Sequence, residues 1–298
     1  MRRLLAVHAH PDDETLASGG TLAHYVRDGA TSVTLVTCTL GQQGEVIPES
    51  LRHLTGEALG AHRRRELERA AAALGVRDHR LLADGRWHDS GMVWVRPGIA
   101  GPAPGAGPQA FARADVDVVA AELAAVVRDV RPHVVLTYDP DGGYRHPDHV
   151  HTHRVTMRAV DLAAGDSLRP WRVPRVAWVR VPRTWAEQER QAASTDRPRS
   201  MLARASADPF PPAVVDDSLI DAVVDVRAVM TAKVAALRAH QTQVRVEGGW
   251  FALSDDIAQL VRDREAFQLA PGDEDDASPA RPDGVVLTDL FSGVRTDD

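Results

Sequence analysis

Short apolar runs at residues 4–8, 31–39 and 79–82 are separated by stretches over 15–30 and 56–74 whose apolar residues recur at helical spacing. Leu16, Leu22, Ala23 and Val26 mark the first helix in spite of Gly19-Gly20, and Gly75 is a natural stop for the second. This alternation leaves few solutions. Parallel strands need crossovers, the crossovers are right-handed, and the helices come to cover both faces of the sheet. The pattern resumes with a helix over 115–130, a strand from His133, a helix over 150–164 and a strand over 175–181; later, 222–226 suggests a strand and 228–240 a helix. The expectation is an α/β fold. A Rossmann-like, mostly parallel sheet with helices on both faces occupies residues 1–182, and a smaller C-terminal part, 183–298, completes the fold and the substrate pocket as one continuous domain. Residues 184–217 carry no assignable pattern. The Gly/Pro/Ala-rich stretch 97–109 reads as a surface loop, placed where it can hang over a site, and the acidic tail beyond Pro271 reads as loosely held apart from 285–291.

Composition excludes several classes of function. The charge balance is −7, from 35 basic and 42 acidic residues, with Lys233 the single lysine. There is no electrostatic reason to expect nucleic acid or an anionic membrane as a partner. Cys38 is the only cysteine, so no internal disulfide forms and a reducing compartment fits. Met1-Arg2-Arg3 precedes an apolar run too short for a signal peptide, and no stretch approaches the ~20 residues that span a bilayer. The expected location is the cytoplasm.

Two loops concentrate the chemistry. The first apolar run leads into His10-Pro11-Asp12-Asp13-Glu14, and the run from His133 leads into Tyr144-Arg145-His146-Pro147-Asp148-His149. In an open parallel sheet, sites form beyond the carboxyl ends of the strands, where the strand order reverses. Two such loops meeting there bring His10, Asp13 and His149 to one divalent ion, and three protein ligands with an open position are the arrangement of a catalytic zinc. Pro11 turns the chain so that Asp12, beside the ligand Asp13, faces the open position as general base. His146 is then free to face a developing oxyanion as a cation or donor, with Asp148 holding its ring and keeping it protonated. Blander readings stand beside these. Asp-Asp-Glu also suits any helix N-terminus, and His151 and His153 read as decoration of a solvated helix. A nucleotide-binding Rossmann turn requires G-x-G-x-x-G after the first strand, and His-Pro-Asp-Asp-Glu stands there instead.

These two motifs resemble those of the LmbE/PIG-L-like family of zinc N-acetylglucosamine deacetylases. The similarity extends through Val36-Thr37-Cys38-Thr39-Leu40-Gly41, Gly85-Arg86-Trp87-His88-Asp89-Ser90-Gly91-Met92, Thr137-Tyr138-Asp139-Pro140 and Ala239-His240-Gln241-Thr242-Gln243. Within the family the chain is most similar to the mycothiol-pathway members that act on N-acetylglucosaminyl-inositol. The stretch 85–92 separates them from the sister mycothiol S-conjugate amidases, the alternative activity. The resemblance implies zinc, one per chain, at His10, Asp13 and His149, though His₂Asp sets also accept ferrous iron. It implies Asp12 as general base, His146 as oxyanion stabiliser with Asp148 its partner, and Tyr144 as a mobile tyrosine assisting at the carbonyl. Arg63 and Asp89 match residues that grip the hydroxyls of a small amino-sugar inositol substrate; read alone, Arg63 is an exposed helix charge and Asp89 a turn residue. The chain departs from the family pattern at Gln42, Asp141 and Arg145, which border the mouth of the site.

Overall fold

The computed structural model describes residues 1–205, 207–271 and 285–296. β1 (Arg2–His8), α1 (Asp13–Arg27), β2 (Thr31–Thr37), α2 (Gly56–Leu74) and β3 (Asp78–Leu81) follow the expected alternation. A hairpin of β4 (Met92–Arg96) and β5 (Ile99–Pro102) precedes α3 (Val116–Val130), β6 (Val134–Thr137), the one-turn α4 (Gly142–Arg145), α5 (Pro147–Ala164) and β7 (Arg175–Pro182). The remainder holds α6 (Arg183–Thr195), β8 (Val214–Val215), β9 (Ala222–Asp225), α7 (Met230–Ala239), the small sheet of β10 (Arg245–Glu247), β11 (Trp250–Ala252) and β12 (Gln259–Leu260), and β13 (Arg264–Leu269).

The main sheet has the order β3-β2-β1-β6-β7-β13-β9, with β8 paired to β7. Strands β3, β2, β1, β6 and β7 are mutually parallel, β13 runs antiparallel to β7, and β9 at the far edge pairs antiparallel with β13. The chain moves from β1 outward to β2 and β3, then returns to lay β6 on the other side of β1. The carboxyl ends of β1 and β6 therefore flank the switch point. Along β1, Leu4 and Ala6 enter one core with α1, α2 and α7, while Leu5 and Val7 enter a second core with α3 and α5. A strand buried on both faces reads as a continuous apolar run, which is how β1 appears in the sequence.

Local chemistry explains where the elements differ from expectation. Helix α5 starts at Pro147, not near residue 150: proline suits a first helical position, and His146 caps the end by accepting the Asp148 N–H at 3.1 Å. His149 is thus on the first turn of a helix, not in a loop. His151 and His153 are not solvated either. The former is buried with its ring edge-on to Phe111, and the latter's Nδ1 lies 2.9 Å from the Tyr138 carbonyl oxygen. The expected loop at 97–109 begins inside the β4–β5 hairpin, and the unassigned stretch 184–217 contains most of α6 and all of β8. Residues 272–284, most of the tail expected to be loosely held, lie outside the described residues. Leu290 and Phe291, in the part expected to be held, are buried in the first core.

Strand β13 also reaches across to α1. Glu265 accepts the Gly20 and Thr21 N–H groups at 2.9 and 2.7 Å, and the Lys233 ammonium lies 2.8 Å from it. Gly20 permits this approach, since a Cβ there would meet Val226 Cγ2 at 2.6 Å and Glu265 Oε1 at 2.9 Å.

Candidate metal centre and active-site cavity

The loop after β1 is held in a costly conformation. Asp12 has φ 125° and ψ −34°, a region that non-glycine residues rarely occupy. Its N–H donates to Glu14 Oε2 at 3.0 Å, and its carbonyl accepts from Thr15 and Leu16, both at 2.9 Å. Glu14 is itself fixed by His240 Nε2, 2.7 Å from Oε1. Burial alone would raise the Glu14 carboxyl, but the His240 charge and hydrogen bond outweigh it and hold it at about 2. Backbone strain that the surroundings enforce in this way clusters at functional sites.

Three donors from the two loops converge. His10 Nδ1 and His149 Nε2 each lie 3.3 Å from Asp13 Oδ2, and 3.4 Å from one another. All three residues are buried. Ligand atoms ~2.0–2.2 Å from a tetrahedral ion lie ~3.3–3.6 Å apart, so the spacing fits a divalent ion. His146 lies close enough to join His10 and His149 as a further nitrogen donor. The opposite edge of the His10 ring faces carboxylates: Nε2 is 3.0 Å from Asp148 Oδ2 and 3.6 Å from Asp89 Oδ1. These residues, with His146, form a second cluster of potential ligands. If Nδ1 faces an ion, Nε2 must keep the ring proton, so that cluster is better read as outer support for His10.

This corrects the expected role of Asp148, which partners His10 rather than the His146 ring. The two side chains lie in the same cluster, but the hydrogen bond between these residues runs from the Asp148 backbone N–H to His146 Nδ1, not from the ring to the carboxylate. Nor does His146 behave as a cation. Its Nδ1 accepts the Asp148 N–H, which leaves the proton on Nε2. Burial, the main cause, holds the ring well below the ordinary histidine value. With Nδ1 accepting, Nε2 is the nitrogen that can donate.

Asp12 is buried beside these groups and contacts Arg63, whose Nη2 lies 3.1 Å from Asp12 Oδ2. Burial, opposed by the Arg63 guanidinium and reinforced by Asp13, lifts the Asp12 carboxyl from 3.8 to about 7. A carboxyl poised there can both take and return a proton at neutral pH. Arg63 is not the exposed charge its triple-arginine context suggests. It is 3% exposed and also donates to the Pro11 and Gly41 carbonyls at 2.6 and 2.7 Å. Asp89 accepts the Gly91 and Gln43 N–H groups at 2.8 and 3.1 Å, so it is a turn residue and a buried site carboxylate together. Tyr144 stands with its ring 5.1 Å from that of His149 and 5.7 Å from that of Trp94. A cavity of about 470 Å³ opens over this centre, and Asp12, Arg63, Asp89, Tyr144 and His146 all line it.

A family model described as PIG-L, GlcNAc-PI de-N-acetylase, matches residues 5–160, which contain every donor named above. The chain belongs to that family. A protein of Streptomyces avermitilis named 1D-myo-inositol 2-acetamido-2-deoxy-alpha-D-glucopyranoside deacetylase is 47% identical over 98% of this chain and 97% of its own length. A protein of the same name from Thermobifida fusca is 47% identical over 98% and 99%. Among solved structures, the N,N'-diacetylchitobiose deacetylase of Pyrococcus horikoshii matches with a TM-score of 0.55 at 20% identity, covering 91% of this chain and 84% of that one. The 4-carboxy-2-hydroxymuconate hydratase of Pseudomonas putida matches with a TM-score of 0.54 at 19% identity, over 92% and 98%. Structural likeness at that identity speaks for the fold alone, because one architecture here accompanies a deacetylase and a hydratase.

In this PIG-L family member the structure also brings in residues to which the motifs assign no role. Ser90 donates to Asp148, Gln42 Oε1 accepts the Asp89 N–H at 3.1 Å, and the Tyr138 hydroxyl oxygen accepts the Ala9 N–H at 2.9 Å. For Arg63 a usable signal existed. It shares its helical stripe with Leu59, Leu67 and Ala70, all buried. No periodicity marks Trp94, whose hairpin sequence is glycine-rich.

Proposed function

We propose that the chain removes the N-acetyl group from 1D-myo-inositol 2-acetamido-2-deoxy-alpha-D-glucopyranoside, giving the free amine and acetate, as the deacetylation step of mycothiol biosynthesis. Near-half identity to deacetylases of that name, over nearly the whole length of both chains, supports the substrate. His10, Asp13 and His149 would hold one divalent ion, zinc in the first instance. Such an ion polarises a carbonyl and acidifies water toward a pKa of ~7.

The protein's own groups then have separate tasks. Asp12 accepts the proton of the attacking water and returns it to the departing amine. His146 donates from Nε2 to the carbonyl oxygen as negative charge develops, and Tyr144, beside it in the cavity, assists there. Arg63 orients Asp12, and it and Asp89 form the wall against which the sugar hydroxyls lie. The observation that carries the reading is the three-donor triangle with the buried Asp12 carboxyl, held by Arg63, at its side.

The test is amine release by chelated and metal-restored protein, with wild type and Asp12→Asn compared at equal metal content. A mycothiol S-conjugate serves as the competing substrate. The expected result is metal-dependent turnover of the acetamido sugar that falls ~10²–10⁴-fold in Asp12→Asn. Near-normal turnover in that variant overturns the role of Asp12, and preference for the conjugate overturns the substrate.

A further inference from the structure

Asp148 is fully buried, and four donors surround its carboxylate. Oδ2 accepts from His10 Nε2 at 3.0 Å and from the Ser90 N–H at 2.9 Å; Oδ1 accepts from the Ser90 hydroxyl and from the Ala112 N–H at 3.1 Å. Ser90 supplies two of the four, one to each oxygen. Its hydroxyl oxygen in turn lies 2.9 Å from the Ala112 N–H. A carboxylate gripped at both oxygens by one residue cannot turn about its own axis. The oxygen that faces His10 therefore has a fixed place.

That place matters because the two nitrogens of His10 have opposite duties. Nδ1 belongs to the donor triangle and must present a lone pair, so Nε2 must carry the proton and needs an acceptor in the plane of the ring. Asp148 is that acceptor. Ser90 also sits between Asp89 and Gly91, both of which line the cavity. The peptide that orients the support of a metal donor is thus a wall of the substrate site.

We propose that Ser90 is a positioning residue for the metal centre, fixing the tautomer and ring plane of His10 through Asp148. This rests on the metal-hydrolase reading above. It makes two demands that a packing role does not: the hydroxyl is the operative group, and its loss is felt first in metal affinity and ligand geometry.

The experiment compares wild type, Ser90→Ala and Ser90→Thr. Zinc dissociation constants come from competition with a chromophoric chelator, ligand-field geometry from the visible spectrum of the cobalt-substituted proteins, and folding from thermal unfolding of the metal-free proteins. Ser90→Ala is expected to weaken zinc ~10–100-fold and to shift the cobalt bands, with unfolding of the metal-free protein little changed. Ser90→Thr is expected to restore both affinity and spectrum. Wild-type affinity and spectrum in Ser90→Ala overturn the proposal, and so does a Ser90→Thr protein as impaired as Ser90→Ala. Failure of wild type itself to bind zinc, or to turn over with metal, strikes the underlying reading instead.

Discussion

One nitrogen of Arg63, Nη2, donates to both the Pro11 carbonyl at 2.6 Å and the Asp12 carboxylate at 3.1 Å, from a helix 51 residues further along the chain. Its other terminal nitrogen donates to Gly41, where any Cβ would overlap the guanidinium at 2.0 Å. The guanidinium is therefore a fixed strut under the proposed base. Arg63→Met is expected to lower kcat by ~10²-fold, since misplacing a reacting group by an ångström has that effect. The sign of the pH effect also follows. Arg63 holds the Asp12 carboxyl down, so without it the basic form requires higher pH, and the acidic limb of kcat/KM should move upward. Rate profiles of the two proteins check this. Arg63→Lys should not rescue, because one ammonium cannot replace the planar fork.

Removing a donor should act differently from removing the base. His149→Ala is expected to lose stoichiometric zinc and activity together, whereas Asp12→Asn keeps metal. Elemental analysis after gel filtration distinguishes them, and retention of tight zinc by His149→Ala would remove it from the ligand set.

The Glu14–His240 pair predicts a stability profile with two edges. His240 is raised above its ordinary 6.5, because the Glu14 charge and hydrogen bond overcome burial. Its contribution is complete below 6.5 and is lost as pH rises through the raised value. Glu14, lowered from 4.5 to about 2, contributes above 4.5 and loses that contribution as pH falls toward 2. Chemical denaturation of the metal-free protein should thus show the pair's full effect between these limits. His240→Leu, which leaves a buried carboxylate unpaired, should lose ~3–5 kcal/mol there.

Gly20→Ala tests the approach of β13 to α1. The added methyl meets Val226 and Glu265 well inside contact distance, and overpacking of this kind costs ~1–3 kcal/mol. A lowered denaturation midpoint is expected despite alanine's better helix propensity; a raised one would show that the two elements separate freely.

Much of the fold was legible because it is written locally. The strands β1, β2 and β6 are apolar runs, α2 ends where Gly75 stands with φ 79°, and both ligand loops follow strand ends. Asp148 was read wrongly because sequence makes neighbours look like partners. Helix geometry sends its side chain to His10, 138 residues away. Arg63 was obscured by Arg64 and Arg65, although its stripe with Leu59 and Leu67 was available. The β4–β5 hairpin was hidden by composition, since the glycines and prolines that suggest a loop also permit a tight turn. Glu265 left no trace, as its partners are two backbone N–H groups of α1 and a lysine 32 residues earlier in the chain.

The braces on the first loop come from far down the chain: His240 holds Glu14, and Glu265 holds the middle of α1. During synthesis the N-terminus leaves the ribosome first, so residues 10–14 are made long before these two late braces. A nascent chain that stops before residue 240 already contains His10, Asp13 and His149, and also Arg63, Tyr138 and Asp148, which contact the first loop, but it lacks the His240 brace on Glu14. A product truncated there keeps all three donors but loses one of the contacts that hold the costly turn at Asp12.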